Sequence, residues 1–137
     1  MGKEEVHRAS IELRVRYAET DQMGVAHHSC YFVWMEASRT ELLRNIGISY
    51  REMERMGYFL PVKEAYCRYR SRVFYDDIVI VESELVNTGG ASIKIAYRMY
   101  SKDGKNKIFA EGYTLHPFID KKGKVVKIPE FIRRLLA

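Results

Sequence analysis

The run Tyr31-Phe32-Val33-Trp34-Met35 constrains this chain most, because it is apolar almost all round and opens a segment of helical period. From Ser29 or Cys30 to Ile46, the residues Tyr31, Trp34, Met35, Ser38, Leu42 and Ile46 share one broad face, with Glu36, Thr40 and Arg44 elsewhere. A helix of that kind is unstable on a wet surface and predicts sheet on one side and a cover on the other. The rest of the chain supplies sheet. Ile11, Leu13, Val15 and Tyr17 alternate with Glu12, Arg14 and Arg16, the period of a half-buried strand ending near Tyr17. Four further strands are expected over 62–73, 78–86, 92–101 and 107–116. The turn sequences Asn87-Thr88-Gly89-Gly90 and Asp103-Gly104 join neighbours as antiparallel hairpins. Gly47 suits the end of the long helix, Ser49 the start of a short one through Met56, and Pro129 the start of a terminal helix. In that last helix Phe131, Ile132, Leu135 and Leu136 are expected to pack back on the body.

These elements define an α+β fold, a long helix inside a curling, mainly antiparallel five-stranded sheet, the "hotdog" arrangement. The 137 residues, 47% of them hydrophobic, suit one domain over 1–137. No apolar run approaches the ~20 residues of a membrane span, and residues 1–5 lack the apolar stretch of a secretory signal, so a cytoplasmic protein is expected. Cys30 and Cys67 have no metal-like or redox spacing and read as reduced thiols. A net charge of +5 suits an anionic partner, either nucleic acid or a nucleotide-tailed cofactor such as coenzyme A. No nucleic-acid-binding motif accompanies it, and a solvated basic surface explains the same charge.

The chemistry concentrates between Tyr17 and Tyr31, where a strand feeds through a glycine-containing loop into the apolar helix. Asp21 stands a few residues ahead of the unsatisfied N–H groups that open the helix. Such groups polarise a carbonyl, and a carboxylate beside them attacks it or activates water against it. The alternative is an ordinary turn aspartate. Gly24 lets the loop backbone approach a ligand, or simply makes a turn. Val25 and Tyr31, with Met23, His27 and Trp34, are candidates to line a pocket. Glu36 is a competing carboxylate, or a surface partner for Arg39, Thr40 or Arg44. Cys30 with His27 or His28 is a further nucleophile–base candidate, or small packing at a helix start. Asp21, His27, His28 and Cys30 offer suitable metal-ligand types without a recognised spacing, so no metal site is expected. Arg68, Arg70 and Arg72 share one face of a regular strand, as a phosphate stripe or a solvated edge.

The run Tyr17-x-x-x-Asp21-x-x-Gly24-Val25-x-x-His28-x-x-Tyr31, followed by Ser38-Arg39-Thr40-Glu41-Leu42-Leu43-Arg44, resembles the acyl-CoA thioesterases of the 4-hydroxybenzoyl-CoA thioesterase type. It is most similar to the branch associated with the bacterial Tol-Pal system. The segment Tyr69-Arg70-Ser71-Arg72-Val73-Phe74-Tyr75-Asp76-Asp77 resembles that family's second-strand region. Cys30 and His27 depart from it, standing where relatives commonly have Asn or Ser and an aromatic residue. The resemblance implies hydrolysis of an acyl-CoA thioester without metal or redox cofactor. Asp21 would then be nucleophile or general base, and the backbone N–H of His28 the group that polarises the carbonyl. It further implies that the His28 side chain positions water or Asp21 and that Tyr17 hydrogen-bonds the carboxylate. Ser92 and Lys94 match a region that holds the pantetheine and nucleotide of CoA. A homo-oligomer, dimer or tetramer, is implied as well, with the CoA tail at a subunit boundary. Two other readings keep the fold: a non-catalytic acyl-CoA-binding protein, and a hotdog enoyl-CoA hydratase or dehydratase using Asp21 and His28 as an acid/base pair.

Overall fold

The structure, a computed structural model, describes residues 7–137, without the side chains of Lys105 and Asn106; the run at residues 1–5, read for a secretory signal, lies outside it. Strand β1 (Arg8–Arg14) is followed by a 3-10 turn (Tyr17–Glu19) and the long helix α1 (Cys30–Ile46). A short helix α2 (Tyr50–Arg55) leads to β2 (Glu64–Tyr69), β3 (Ile78–Thr88), β4 (Ser92–Ser101), β5 (Gly104–Pro117) and the terminal helix α3 (Glu130–Leu136). The five strands form one sheet in the order β1-β3-β4-β5-β2, antiparallel throughout, which is the α+β wrapping expected of a hotdog fold. None of the helices in the described residues is long and apolar enough to cross a membrane.

The expected apolar face of α1 is the buried one. Tyr31, Trp34, Met35, Ser38, Leu42 and Ile46 all face inward, against Val79, Val81, Ile93, Ile95 and Met99 of the sheet. A polar residue survives on such a face only when its hydrogen bonds are made inside. The Ser38 hydroxyl meets the Val81 carbonyl and the Ser83 hydroxyl, each at 2.9 Å. Where α1 crosses β5, Gly112 permits the approach: a Cβ there would collide with the Tyr66 carbonyl oxygen and the Met35 methyl. The Ser49 side chain accepts from the Glu52 N–H, which caps α2 as expected.

Four expectations are corrected. Strand β1 ends at Arg14, because Val15 turns to donate to the Asp77 carbonyl and the next residues wind into the 3-10 turn. Strand β2 is shorter than 62–73, because Arg70 and Ser71 both donate to the carbonyl of Phe109 and the two-residue period is lost there. Arg68, opposite Glu111 in the ladder, and Arg70, paired with Glu111, keep to one face, while Arg72 lies beyond the break. Arg39 is not a surface partner of Glu36; it is 6% exposed and points into the body while Glu36 faces out. In α3 only Ile132 and Leu136 pack back, leaving Phe131 and Leu135 exposed.

The sheet order makes the site. Because β2 lies at the edge opposite β1, while β3 pairs with β1, the segment 70–77 has to recross the molecule. It passes the start of α1 on the way.

Candidate active site

The loop between the 3-10 turn and α1 closes on itself and then on the recrossing segment. Asp21 N donates to Val25 O at 2.9 Å and Gly24 N to Asp21 O at 3.0 Å, so residues 21–25 form a tight turn. Gly24 sits at φ +76°, a left-handed conformation that favours glycine; a Cβ would meet nothing within 4 Å, so backbone geometry rather than space fixes the residue type. The recrossing chain grips this turn on both sides: Ala26 N donates to Val73 O at 2.7 Å, and Tyr75 N to Gly24 O at 2.8 Å. Asp76 N donates to Val15 O at 3.0 Å, which ties the same strap to the end of β1.

Asp21 is exposed, and its two oxygens are used differently. Oδ1 accepts from Met23 N at 2.8 Å and Val25 N at 3.2 Å, the turn role of an aspartate. Oδ2 accepts nothing among the described residues, so one carboxylate oxygen is aimed by the loop and the other is left open. Val25, the second donor, also lines a cleft of ≈ 270 Å³ walled by Ala26, His28, Tyr31, Tyr69 and residues 70–72. The carboxylate is therefore one hydrogen bond from the cleft wall.

At the cleft's other side α1 begins. Cys30 N donates to His27 O and Tyr31 N to His28 O, yet the backbone N–H groups of His28 and Ser29 donate to nothing among the described residues. They are the orphan donors at the positive end of the helix dipole. Tyr69 fixes their position by donating its hydroxyl to the His28 carbonyl at 3.1 Å and by an edge contact to Tyr31, ring centroids 4.7 Å apart. Burial, with Cys67, Tyr69 and Cys30 nearby, pushes the Tyr31 hydroxyl up to about 12, so Tyr31 is a neutral wall.

The remaining candidates scatter. The His28 ring stacks on His27, centroids 4.7 Å apart, and makes no hydrogen bond to Asp21. Tyr17 is 78% exposed and sets its ring edge-on to Tyr75 at 5.6 Å; its hydroxyl makes no hydrogen bond to Asp21. Met23 and His27 are exposed, and Trp34 is buried below the loop, so of the pocket candidates only Val25 and Tyr31 line the cleft. Arg72 lines it too, next to Arg70, which pairs with Glu111. Ser92 and Lys94 lie far off in one chain. Lys94 sits over the Tyr113 ring at 4.2 Å, in register through Leu115 with Glu64, whereas the cleft begins beyond Tyr69 at the other end of β2, about 17 Å along the strand.

Glu36 faces solvent outside the cleft. The Cys30 thiol points to the Glu19 carbonyl at 3.7 Å, and burial, then the Glu19 charge, pushes it up, away from the thiolate a nucleophile needs. His27 uses Nδ1 on Ser29. Among the described residues no three His, Cys, Asp or Glu side chains could hold a metal ion.

A family model for the thioesterase-like superfamily matches residues 15–136. The chain belongs to the thioesterase-like superfamily. This thioesterase-like chain is 34% identical to Bacillus subtilis YneP over 117 residues, 85% of the chain and 83% of YneP. It is 32% identical over 91 residues to the acyl-CoA thioesterase YbgC of Haemophilus influenzae, 66% of the chain and 67% of that protein. Among solved structures, the DHNA-CoA thioesterase of Staphylococcus aureus superposes with a TM-score of 0.85 at 26% identity, covering 93% of this chain and 85% of that one.

One residue that the sequence reading missed is Glu19. It is 9% exposed, and its carboxylate joins the 3-10 turn to α1. Its signal was faint: an acid three residues after Arg16 is the spacing of a capping interaction, but nothing local reveals its partner on the helix.

Proposed function

We propose that this chain hydrolyses an acyl-CoA thioester to the free carboxylic acid and CoA. The observation that carries the reading is a half-engaged carboxylate bonded to Val25 of the wall of a small cleft, and His28 in the same wall with an N–H that has no partner among the described residues, in a chain of thioesterase-like family. A thioester carbonyl that accepts from the His28 N–H gains charge stabilisation as its carbon becomes tetrahedral, typically worth about 3 kcal/mol per donor. The open Asp21 oxygen either attacks that carbon, displacing the CoA thiolate and leaving a mixed anhydride for water to cleave, or takes a proton from an attacking water. In both routes water supplies the oxygen and the protons that end on the acid and the thiol. No metal or redox cofactor takes part.

The remaining assignments rest on the resemblance. Residues 1–137 form a single hotdog thioesterase domain of the 4-hydroxybenzoyl-CoA type, Tol-Pal-associated branch, acting in the cytoplasm. The resemblance assigns Tyr17 and the His28 ring to Asp21, although neither bonds it in this structure; Gly24, Val25 and Tyr31 contact the acyl group, and Arg72, Ser92 and Lys94 serve the CoA tail. Since Lys94 is far from the cleft within one chain, the tail runs across a boundary to a second copy, in a dimer or tetramer. The open edge of β2, where Tyr66 and Tyr69 are exposed, supports such a neighbour.

The test is thiol release from a panel of acetyl-, medium-chain, long-chain and benzoyl-type CoA thioesters, with Asp21→Asn alongside. Hydrolysis by the wild type alone supports both reaction and residue. Wild-type turnover in Asp21→Asn removes the site assignment. Release from none of them removes the thioesterase reading: an enoyl-CoA absorbance change then marks a hydratase, and thermal stabilisation by acyl-CoA without product marks a binding protein.

A further inference from the structure

We infer that Glu19 is a positioning residue that fixes the Asp21 loop against the start of α1. The inference rests on the thioesterase reading for its catalytic consequence, and on geometry for the placement itself. Every polar atom of Glu19 is engaged. Its N–H donates to Arg16 O at 2.9 Å, which closes the 3-10 turn. Its Oε1 accepts from Arg16 N at 2.8 Å and lies 3.4 Å from Arg16 Nε. Its Oε2 accepts from the indole N–H of Trp34 at 2.9 Å. Its carbonyl takes the His27 N–H at 2.8 Å and the Cys30 thiol at 3.7 Å. One side chain thus holds the turn two residues before Asp21 to the second turn of α1, while its own backbone holds the residue before His28.

A nearly buried carboxylate is costly unless it is paired and hydrogen-bonded. Burial pushes the Glu19 carboxyl up, but hydrogen bonds from Arg16 and Trp34, together with the Arg16 charge, hold it below the ordinary value. It is therefore ionised at neutral pH and accepts on both oxygens at once. A glutamine cannot replace it in kind: its amide has one acceptor oxygen, and its NH2 would face either the Arg16 N–H or the Trp34 N–H. Hydrogen bonds of this charge-assisted type are about twice as strong as neutral ones, which suits a brace rather than a reacting group. Glu19 does not itself line the cleft and makes no hydrogen bond to Asp21.

The experiment compares the wild type with Glu19→Gln, Trp34→Phe and the double variant, using two readouts. The first is steady-state hydrolysis of the best thioester from the panel. Each single variant is expected to lower kcat, by up to about 10²-fold for a loop misplaced by an ångström, while KM stays at the wild-type value. The double variant is expected to be no worse than the poorer single, because both cut the same link. The second readout is amide exchange by NMR, which needs no turnover. The amides of Met23, Val25 and His27 are expected to exchange faster in each variant, with those of the β3–β4 ladder unchanged.

Loop amides exchanging at the wild-type rate in both single variants overturn the inference, as do single-variant losses that multiply in the double. Faster loop exchange in a protein that hydrolyses no thioester would remove the thioesterase reading and leave the bracing role of Glu19 standing. Glu19→Asp adds a check on length: one methylene shorter, it keeps the charge but reaches one partner, so its kcat is expected between those of the wild type and Glu19→Gln.

Discussion

The two ends of α1 treat polar groups in opposite ways. Toward its middle and far end, Arg39 donates to the Tyr50 hydroxyl at 2.7 Å and the Tyr97 hydroxyl at 3.0 Å. Tyr97 meets Thr114 at 2.6 Å, and Thr114 meets His116 at 2.7 Å. The chain of contacts is buried except at Tyr50, which is half-buried, and among the described residues no buried side-chain nitrogen or oxygen lacks a partner. At the near end, one oxygen of Asp21 and the N–H groups of His28 and Ser29 have no partner among the described residues. Satisfied groups rigidify, and open ones are free to meet a substrate. The contrast separates the polar residues that hold this molecule together from those available for chemistry.

The contrast fails most visibly if Asp21 is merely structural. Asp21→Asn keeps an oxygen for the Met23 and Val25 N–H groups, so its melting temperature is expected to hold while thiol release falls about 10³-fold, within the range of a lost acid–base or nucleophilic group. A coupled loss of folding in thermal melts would erase the distinction. At the other end, Arg39→Met leaves the Tyr50 and Tyr97 hydroxyls without their charged donor. Unfolding in urea is expected to show a loss of about 3 kcal/mol, with turnover per folded molecule unchanged.

Acid sharpens the same comparison. Burial, then the Arg39 charge, pushes His116 down to about 4, so the folded protein holds it neutral while the unfolded chain takes up a proton near the ordinary 6.5. Its contribution to stability is full above that higher value and is lost as pH falls toward the lower one, by up to about 3 kcal/mol in total. Urea midpoints measured across this window are expected to fall with acid in the wild type and to flatten in His116→Gln. The smallest effect belongs to Gly24→Ala. Nothing blocks the added methyl, so only the left-handed backbone resists it, and a melting shift equivalent to about 1 kcal/mol is expected.

The helix and most of the sheet were legible because periodicity is local. The aromatic opening of α1 and the alternation in β1, β3 and β4 announce which face is buried whatever lies opposite. The Asp21 loop was legible through its motif, and its turn function through the residue type. What escaped depends on partners distant in sequence. Arg39 looked like a surface residue because its two phenolic partners lie on α2 and β4. The end of β2 was misplaced because no pattern shows two successive N–H groups sharing the Phe109 carbonyl. Tyr17 has the pattern of a strand end because the 3-10 turn that Glu19 closes on Arg16 leaves little mark on the local sequence.

The strap at 70–77 has a consequence for how this site comes into being. Its Val73 and Tyr75 hold Ala26 and Gly24, residues far apart along the chain, with the whole of α1, α2 and β2 between them. Closing such a long excursion of chain costs entropy before any contact returns it, which makes it a slow event. During refolding, the helix and the central hairpins can therefore be in place while the Asp21 turn is still ungripped, and competence for ligand returns after the bulk of secondary structure. By the same logic, lengthening the strap by a residue would leave every cleft side chain present and still unmake the site.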